Sequence, residues 1–252
     1  MPRVAREKSC TGIYHVMLRG INRQAIFKDD QDRERFIDTV ARYKRETGFE
    51  LYAYCLINNH IHLLIKENQT ELSQVMKKIG TSYAYYFNWR HGRNGHLFQD
   101  RYKSEAVEND KYLYVVIRYI HQNPVKAGIS NMEEYQWSSY NHYINEKVIV
   151  DTDHFLDMFD KDRRLAINKY INFMNELNED KCLEIEEYKR LTDEKVLDVI
   201  REIGNLENIS DICSLDNDRV DEILRKSKEI EGISVSQISR LTGINRPRII
   251  KL

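Results

Sequence analysis

The sequence has few of the features that mark secreted, disulfide-bonded or membrane-spanning proteins. Its four cysteines (Cys10, Cys55, Cys182 and Cys213) are scattered without a C-x-x-C pair, which indicates neither a disulfide framework nor a zinc ribbon. No stretch approaches the roughly 18 consecutive apolar residues of a membrane helix, and the basic start Met1 to Lys8 lacks a hydrophobic signal core. We therefore expect a cytoplasmic protein that makes no membrane contact.

The chain also has almost no net charge, but this balance hides an asymmetry along the sequence. Residues 1–150 hold 22 lysines and arginines against 17 acidic residues, residues 151–224 hold 10 against 21, and residues 225–252 hold 7 against 2. Two basic regions therefore flank an acidic one. This pattern suits two nucleic-acid-binding surfaces joined by a connecting segment, although ordinary solvated faces would give the same count.

Length and composition allow one large or two small globular domains in these 252 residues, 41% apolar and 31% charged. We predict a catalytic domain over 1–145, a helical acidic connecting segment over 146–190, and a helical domain over 191–252. Within the middle part, the acidic stretch Asn178 to Lys189 is the best candidate for a linker.

The most informative stretch is LYAYCLINNHIHLLIK, from Leu51 to Lys66. Side chains alternate between the two faces of a strand, so His60, His62 and Leu64 share one face, and Ile61 and its neighbours point into a core on the other. Two imidazoles on one strand face provide half of a metal site. A structural role for both histidines is the alternative, because a divalent ion needs further ligands.

A second group of polar residues follows in IRYIHQNPVKAG, residues 117–128. Tyr119 and Asn123 are four residues apart and lie on one face of a helix, which Pro124 is expected to end. Two imidazoles and an amide oxygen leave positions open on Mg²⁺ or Mn²⁺, and a nearby tyrosine hydroxyl can attack a phosphodiester. The residues therefore suggest phosphodiester cleavage through a covalent phosphotyrosine.

His60-Ile61-His62 followed by Tyr119 resembles the single-tyrosine, His-hydrophobe-His transposases of the insertion-sequence type. The resemblance covers roughly residues 1–150 as an ordered series of short motifs. These motifs are Tyr14-His15-Val16, Arg19-Gly20, Asn22-Arg23, Ile26-Phe27, Asp32 to Phe36, Ala53 to Leu56, Asn59 to His62, Gly95 to Ser104, Arg118 to His121, Asn123 to Val125 and Trp137 to Tyr140.

This resemblance implies both a fold and an activity. The implied fold is a small antiparallel sheet with helices on one face, its other face being open to carry the metal. The implied reaction cleaves and rejoins single-stranded DNA near a hairpin through a 5′-phosphotyrosine on Tyr119, with His60, His62 and Asn123 as metal ligands. Monomers and homodimers are both compatible with it.

The sequence departs from the best-known mobile members of the family. They carry glutamine four residues after the tyrosine and little beyond the catalytic domain, whereas Asn123 and about a hundred further residues stand here. Both features are more similar to the repeat-associated tyrosine transposases, so the resemblance implies strand cleavage rather than autonomous mobility.

Hydrophobic periodicity gives the order of elements in the catalytic region. We predict strands at 13–18, 49–57, 60–65 and 102–107, helices at 29–46, 70–90 and 110–121, and a tight hairpin at Asn58-Asn59. This is the order of a ferredoxin-like sheet, and it makes the protein α+β. The aromatic stripe of the 70–90 helix, which includes Tyr83 and Tyr86-Phe87, is expected to be core rather than a base-stacking platform.

Several assignments stay open on the residues alone. Tyr112 could share the helix face of Tyr119, whereas Tyr114 is expected in the core. His121 and Gln122 are alternatives to Asn123 as third metal ligand. For His15 we expect a structural hydrogen bond. Candidate phosphate contacts in the catalytic domain, each balanced against ordinary surface charge, are Arg19, Arg23, Arg93, Arg101, Lys103, Arg118 and Lys126.

The C-terminal residues predict an all-α region ending in a helix-turn-helix. We expect helices at 153–177 (two), 193–203 and 216–230. Then Ser234 and Gln237 form a capping box, Gly243 makes a turn, and a last short helix carries Arg246 and Arg248. These residues could contact duplex DNA, so a catalytically silent DNA-binding regulator is the alternative function. A nicking replication initiator or relaxase is the alternative within enzymes.

Overall fold

The computed structural model describes residues 6–145, 149–178, 180, 182–183, 191–230 and 232–252. The chain divides into two compact units, Met1–Glu184 and Ile185–Leu252. The expected three-part division places a border close to this one, at residue 191. The expected linker, Asn178 to Lys189, lies outside the described residues except for 178, 180 and 182–183.

The first unit is built on a four-stranded antiparallel sheet with strand order β2-β3-β1-β4. The strands are β1 Ile13–Arg19, β2 Glu50–Ile57, β3 His60–Lys66 and β4 Lys103–Ala106. The helices of this unit are α1 Asp30–Thr47, α2 Leu72–Arg90, α3 Asp110–Lys126, α4 Tyr140–Ile144, α5 Asp153–Phe159 and α6 Arg163–Asn175. The predicted α+β class and the predicted order of strands and helices are confirmed.

Local sequence sets the ends of these elements. Asp29 caps α1 by accepting a hydrogen bond from the Asp32 amide, and Gly48 ends the helix in the left-handed conformation at φ 74°. Asn109 caps α3 in the same way. The two asparagines Asn58 and Asn59 connect β2 to β3, whose end residues Ile57 and His60 pair directly. The hairpin that positions the histidines is therefore encoded locally.

Both faces of the sheet are covered, so the expectation of helices on one face only is wrong. His15, Met17, His60 and His62 share one face, called here the histidine face, because Met17 pairs with His62 and alternate residues point the same way. Helix α3 covers it, as the contact between the Tyr119 and His62 rings shows. Helix α2 lies against the opposite face, where it borders a groove together with Leu18. The predicted metal ligands His60, His62 and Asn123 are consequently enclosed rather than carried on an open sheet.

Helix α3 does not end at Pro124, contrary to the expectation. It continues to Lys126, and the amide of Ala127 still donates to the Asn123 carbonyl at 2.9 Å. A proline this close to a helix end removes one hydrogen bond, to the carbonyl of Ile120, without breaking the last turn. Asn123 therefore lies on a regular helix, with a defined side-chain direction and 7% exposure.

Helices α5 and α6 belong to the core of the first unit, although they lie in the predicted connecting segment. Phe155, Leu156, Ala166, Tyr170 and Met174 are buried in the same core as the sheet. An aromatic cluster joins α6 to the rest of the first unit. In it the Tyr143 and Tyr170 rings stack with their centroids 4.8 Å apart. The helices of the predicted connecting segment, α5 and α6, are thus part of the first unit.

The second unit is helical in its described residues. Its helices are α7 Asp193–Gly204, α8 Asn217–Glu229, α9 Val235–Thr242 and α10 Arg246–Lys251, with a 3-10 turn at Ile209–Ser214. A small apolar core includes Val196, Ile200, Ile223 and Ile238. The Ser234–Gln237 capping box and the left-handed Gly243 are present, so α9 and α10 are joined by a three-residue turn. Whether this helix pair reads DNA stays a prediction.

Among the described residues, no helix is long and apolar enough to cross a membrane.

We predict that Tyr170→Ala destabilises the first unit by about 3 kcal/mol, because a fully buried ring is lost from the aromatic cluster. The Tyr170 hydroxyl also bonds the His121 ring nitrogen at 2.9 Å. Urea unfolding monitored by circular dichroism measures the effect. Leu165→Ala on the same helix is the matched control, since Leu165 is 51% exposed and should change stability by less than about 0.5 kcal/mol. Equal midpoints for the two variants would show that α6 is only loosely attached.

Candidate active site

Two histidines of β3 and one asparagine of α3 meet on the histidine face. His60 Nε2 lies 3.2 Å from Asn123 Oδ1, and the His60 and His62 rings are 5.0 Å apart between centroids. His60 Nδ1 lies 2.7 Å from Asn59 Oδ1. When the ring proton is on Nδ1, it is donated to this oxygen and the Nε2 lone pair is directed at Asn123. Two electron-pair donors, an imidazole nitrogen and an amide oxygen, therefore face each other across the site.

Tyr119 lies beside this group on the same face of α3 as Asn123. Its ring centroid is 5.6 Å from that of His62 and 5.8 Å from that of His15. The Lys126 ammonium sits over the Tyr119 ring at 4.6 Å from the centroid. The phenol and the cation of α3 thus meet the histidine pair of β3 in one small volume.

Burial keeps the site imidazoles in their neutral form. Burial lowers the pKa of His62 well below its ordinary value, and the neighbouring His15 and His60 act in the same direction. Burial also lowers the pKa of His60, helped by Arg19 and opposed by the contact with Asn123. Neutral imidazole is the form that binds metal ions, so these rings are ready to act as ligands near neutral pH.

Behind His62 lies a further histidine with a carboxylate at its far side. His15 is fully buried, and its Nε2 is 2.9 Å from His62 Nδ1. His15 Nδ1 lies 3.9 Å from Glu105 Oε2 on the neighbouring strand β4. Neighbouring His15 and Tyr112 lower the pKa of Glu105, against its partial burial. The expected structural hydrogen bond of His15 is present, and its partner is the candidate metal ligand His62. The sequence did not predict that Glu105 would lie beside His15.

The alternatives to Asn123 point elsewhere. His121 bonds Ser139 Oγ at 2.8 Å and the Tyr170 hydroxyl at 2.9 Å, and burial lowers its pKa to about 3. The Gln122 amide donates to the Met174 carbonyl at 2.7 Å. Both side chains therefore face α4 and α6, because consecutive helical residues point about 100° apart. Of the three candidates, Asn123 is the one that meets His60.

The alternative tyrosines are also separated from the histidine pair. Tyr112 is partly buried beside Glu105, and burial together with that carboxylate raises its pKa above the ordinary value. Tyr114 packs among Phe155, Phe159 and Phe173 at 5.0 to 5.5 Å between centroids, as expected of a core residue. Of these three tyrosines, Tyr119 is the one whose ring contacts His62 in the part of the chain that the structure describes.

The candidate phosphate contacts fall into two groups. Arg19 pairs with His60 across β1 and β3, Lys126 lies over Tyr119, and Lys103 is exposed on the histidine face. In the second group, Arg101 is exposed and Arg23 lies in the loop after β1 at φ 59°. Arg93 donates hydrogen bonds to Asn88 and Gln24. The first group therefore borders the site, and contact with DNA stays a prediction for both groups.

Arg118 has a structural role instead of the expected DNA contact. It is 9% exposed, and its Nε lies 2.6 Å from Asp180 Oδ2. Its Nη1 lies 3.2 Å from Glu176, and its guanidinium is over the Phe173 ring at 4.2 Å. Two carboxylates already neutralise this arginine, so it ties α3 to the chain after α6.

Two of the three predicted C-terminal DNA contacts are likewise engaged within their own unit. Gln237 donates to the Leu191 carbonyl at 2.9 Å, besides completing the capping box. Arg248 Nη2 lies 2.7 Å from Asp221. Arg246 is exposed at the start of α10. Helix caps and surface pairs use the same residue types as DNA contacts, which is why sequence alone could not separate them.

The site residues fit a hard divalent cation. The three donors at the site are two neutral imidazoles and one amide oxygen, and among the described residues there is no cluster of three or more His, Cys, Asp or Glu side chains suited to a metal. Two nitrogens and one oxygen satisfy only part of the coordination of Mg²⁺ or Mn²⁺. Positions would remain for water or phosphate oxygens.

We predict that Arg118→Gln lowers the free energy of unfolding by about 2 kcal/mol, because Asp180 loses its buried charged partner. The same variant should leave the salt dependence of DNA affinity unchanged. Lys103→Gln is the comparison: this exposed lysine should change stability little, and the slope of log affinity against log salt should fall by about one. The assignment would be contradicted if Arg118→Gln reduced the salt slope at unchanged stability.

Two solved structures are similar to part of this chain. A REP-associated tyrosine transposase bound to a REP hairpin superposes with a TM-score of 0.50 at 20% sequence identity, covering 57% of the present chain and 86% of that chain. A candidate transposase from Deinococcus radiodurans gives a TM-score of 0.35 at 14% identity, covering 52% and 99%. The first similarity supports the fold, and the second is too weak to support an argument. No curated protein matches the sequence.

The sequence profile of the family described as IS200-like transposases matches residues 8–123. The matched region begins before β1 and ends at Asn123, so it contains the histidine pair, the tyrosine and the amide whose geometry is given above. Residues 8–123, which are a little under half of this chain, therefore match the family described as IS200-like transposases.

Proposed function

We propose that this protein is a DNA transposase or endonuclease that cleaves and rejoins single-stranded DNA through a 5′-phosphotyrosine on Tyr119. One observation carries the proposal: the Tyr119 ring contacts His62 beside the His60–Asn123 pair, all within one chain. The family match supports the class of reaction, DNA transposition. The residues that do the chemistry are inferred from their geometry.

In the proposed reaction the Tyr119 oxygen attacks the scissile phosphorus. The phenol releases its proton, the new tyrosyl O–P bond forms, and the P–O3′ bond breaks. The departing 3′ oxygen takes up a proton and becomes a 3′-hydroxyl. Lys126 places a positive charge over the phenol ring, where it would favour the phenolate that forms when the proton leaves for solvent, before the attack. The bond energy is kept in the phosphotyrosine, so a 3′-hydroxyl can reverse the step and rejoin strands without ATP.

His60, His62 and Asn123 are the residues that would hold the proposed Mg²⁺ or Mn²⁺ ion. When bound, the ion would polarise the scissile phosphate and offset charge in the transition state. The chain's own contribution is to keep the imidazoles neutral by burial and to hold the amide at a fixed place on α3. Helix α3 also excludes water from this face, since Tyr119 is 4% exposed.

The proposed substrate is single-stranded DNA carrying a hairpin. The solved structure is described as a transposase bound to a REP hairpin, and its fold is similar to that of 57% of this chain. Tyr119 lies beside the histidines of its own chain, so the proposed reaction needs no tyrosine from a second subunit. At the C-terminal unit, Arg246 supports a duplex-DNA contact, whereas Gln237 and Arg248 are held by intramolecular bonds.

A labelled hairpin oligonucleotide incubated with the protein and Mn²⁺ tests the proposal. Wild-type protein should form a covalent adduct that resists denaturation and maps to the Tyr119 peptide by mass spectrometry. Tyr119→Phe should form none, because its ring lacks the attacking oxygen. The control Tyr114→Phe should retain the adduct, since that tyrosine lies in the aromatic cluster.

Three outcomes would count against the proposal. An adduct that persists in Tyr119→Phe would exclude this nucleophile and direct attention to Tyr112. Duplex binding with no adduct would favour the silent regulator. An adduct that forms equally well on an oligonucleotide without a hairpin would count against the hairpin substrate and would favour a nicking initiator or relaxase, which uses the same chemistry.

A further inference from the structure

The outward face of α2 carries an exposed stripe of Ser73, Lys77, Thr81, Tyr85 and Trp89. These residues are four apart and follow one ridge of the helix. Tyr85 and Trp89 are both 75% exposed, while Tyr83 and Phe87 on the inner face are buried. The expectation that the aromatic residues of this helix form core thus holds for the inner face, and the outer stripe needs another explanation.

Charge along this helix has one sign. Residues 72–90 contain no aspartate or glutamate but include Lys77, Lys78 and Arg90. Neighbouring parts of the chain supply carboxylates to two of these cations: Lys78 pairs with Glu46, and Arg90 pairs with Asp29 and Asp32. Lys77 is the cation that lies in the stripe itself. Beside the stripe runs a groove of about 880 Å³ that Lys77 and Tyr85 share with Arg6 and Arg101. One carboxylate, Asp100, is among its lining residues, and the Arg6 guanidinium stacks over Tyr102 at 3.8 Å.

We propose that the α2 stripe and its groove bind an unpaired segment of DNA. Exposed aromatic rings between cations are the combination that holds single strands, since bases stack on the rings and phosphates meet the charges. A protein partner would be expected to meet a more apolar patch with fewer charged side chains at its centre. The inference rests on the proposed DNA substrate.

The position of the stripe indicates that the DNA segment bound there is not the segment that is cleaved. Helix α2 borders the sheet face of Leu18, whereas Arg19 and His60 belong to the histidine face. A strand on the stripe is therefore not the strand at Tyr119. The surface would hold DNA beside the scissile link and increase affinity without taking part in the chemistry.

Tryptophan fluorescence provides the test. The chain has two tryptophans, and Trp137→Phe leaves Trp89 as the single reporter. Titration with an oligothymidylate should quench Trp89 emission, because a stacked base contacts the indole. In matched anisotropy titrations, Tyr85→Ala and Trp89→Ala should each weaken binding about tenfold. Leu165→Ala, which removes an exposed apolar side chain on α6, is the control and should bind as wild type.

The outcomes separate this proposal from the proposed function. If wild type forms the Tyr119 adduct while Tyr85→Ala and Trp89→Ala bind DNA as wild type does, the stripe is not a DNA surface. If Trp89→Ala instead converts a dimer into a monomer in size-exclusion chromatography, with unchanged DNA affinity, the stripe is an interface between two copies. If wild type neither binds nor cleaves single-stranded DNA, the proposed function itself fails.

A second and independent observation concerns Glu105 and His15. To bind a metal through Nε2, His62 must carry its proton on Nδ1 and donate it to an acceptor. The atom at that place is His15 Nε2, at 2.9 Å. His15 can accept there only when its own proton is on Nδ1, the nitrogen that faces Glu105.

We infer that Glu105 is a positioning residue that fixes the tautomers of both histidines through His15. Its carboxylate favours a proton on His15 Nδ1, which makes His15 Nε2 an acceptor and leaves His62 Nε2 as the ligand nitrogen. All three groups lie on adjacent strands, since His15 pairs with Glu105 and Met17 pairs with His62. The inference rests on the proposed metal site.

Nitrogen-15 spectra of the histidine rings test the inference without metal or DNA. Wild type should show His62 and His15 with protons on Nδ1. Glu105→Ala should shift both rings toward the other tautomer and weaken Mn²⁺ binding, measured by electron paramagnetic resonance, by about tenfold. Glu105→Gln keeps an oxygen acceptor and should recover part of the loss. Glu108→Ala, an exposed acidic residue just beyond β4, is the control.

Unchanged tautomers and unchanged Mn²⁺ affinity in Glu105→Ala would overturn the inference, provided that His60→Ala abolishes binding. If wild type binds no Mn²⁺ and His60→Ala makes no difference, the metal site itself is absent and the proposed function is at fault. Wild-type tautomers with the proton on His62 Nε2 would also exclude the arrangement directly.

Discussion

The candidate site depends on the packing of α3 against the histidine face of the sheet. Neither element is sufficient alone, because β3 supplies two imidazoles and α3 supplies the phenol and the amide. Their contact removes water from His62, which lowers its pKa and keeps it neutral. The same contact fixes the distance between His60 and Asn123 at 3.2 Å. Packing therefore sets both the geometry and the protonation state of the site.

The layers behind this contact hold it in place. The aromatic cluster of Tyr143, Phe155 and Tyr170 packs against the outer side of α3, and Arg118 is paired with Asp180 there. His121, two residues before the candidate metal ligand Asn123, belongs to this supporting layer. Asn123 and His121 are both polar residues of the same motif, but they lie on different faces of α3. Asn123 therefore belongs to the site, and His121 belongs to the layer that supports it.

The positive charges of the first unit have different uses that depend on their neighbours. Arg118 is neutralised by carboxylates, Lys126 lies over the nucleophile candidate, and Lys77 lies on an exposed helix with no acidic residue. A net charge near zero therefore conceals surfaces of one sign. Electrostatic attraction of DNA depends on these local surfaces rather than on the total.

The sequence by itself determined the order of strands and helices, the hairpin at Asn58-Asn59, the helix caps and the one-face placement of His60 with His62. These follow from the two-residue period of a strand and from turn and cap chemistry, which act between residues close in the chain. The family motif also singled out Tyr119, and its spacing to Asn123 predicted that the two share a helix face. Local rules were sufficient for all of these.

Only the tertiary structure decided which residues meet across elements. In the folded protein α3 covers the sheet face that was expected to be open, and this helix continues past Pro124. His121 and Gln122 point away from the site, and carboxylates neutralise Arg118. Glu105 lies next to His15, on the side away from His62. The tertiary structure also divides the aromatic residues of α2 into a buried row and an exposed one. The physical reason is that burial and pairing arise from contacts between segments far apart in the chain, and residue type and spacing do not record which segments come together.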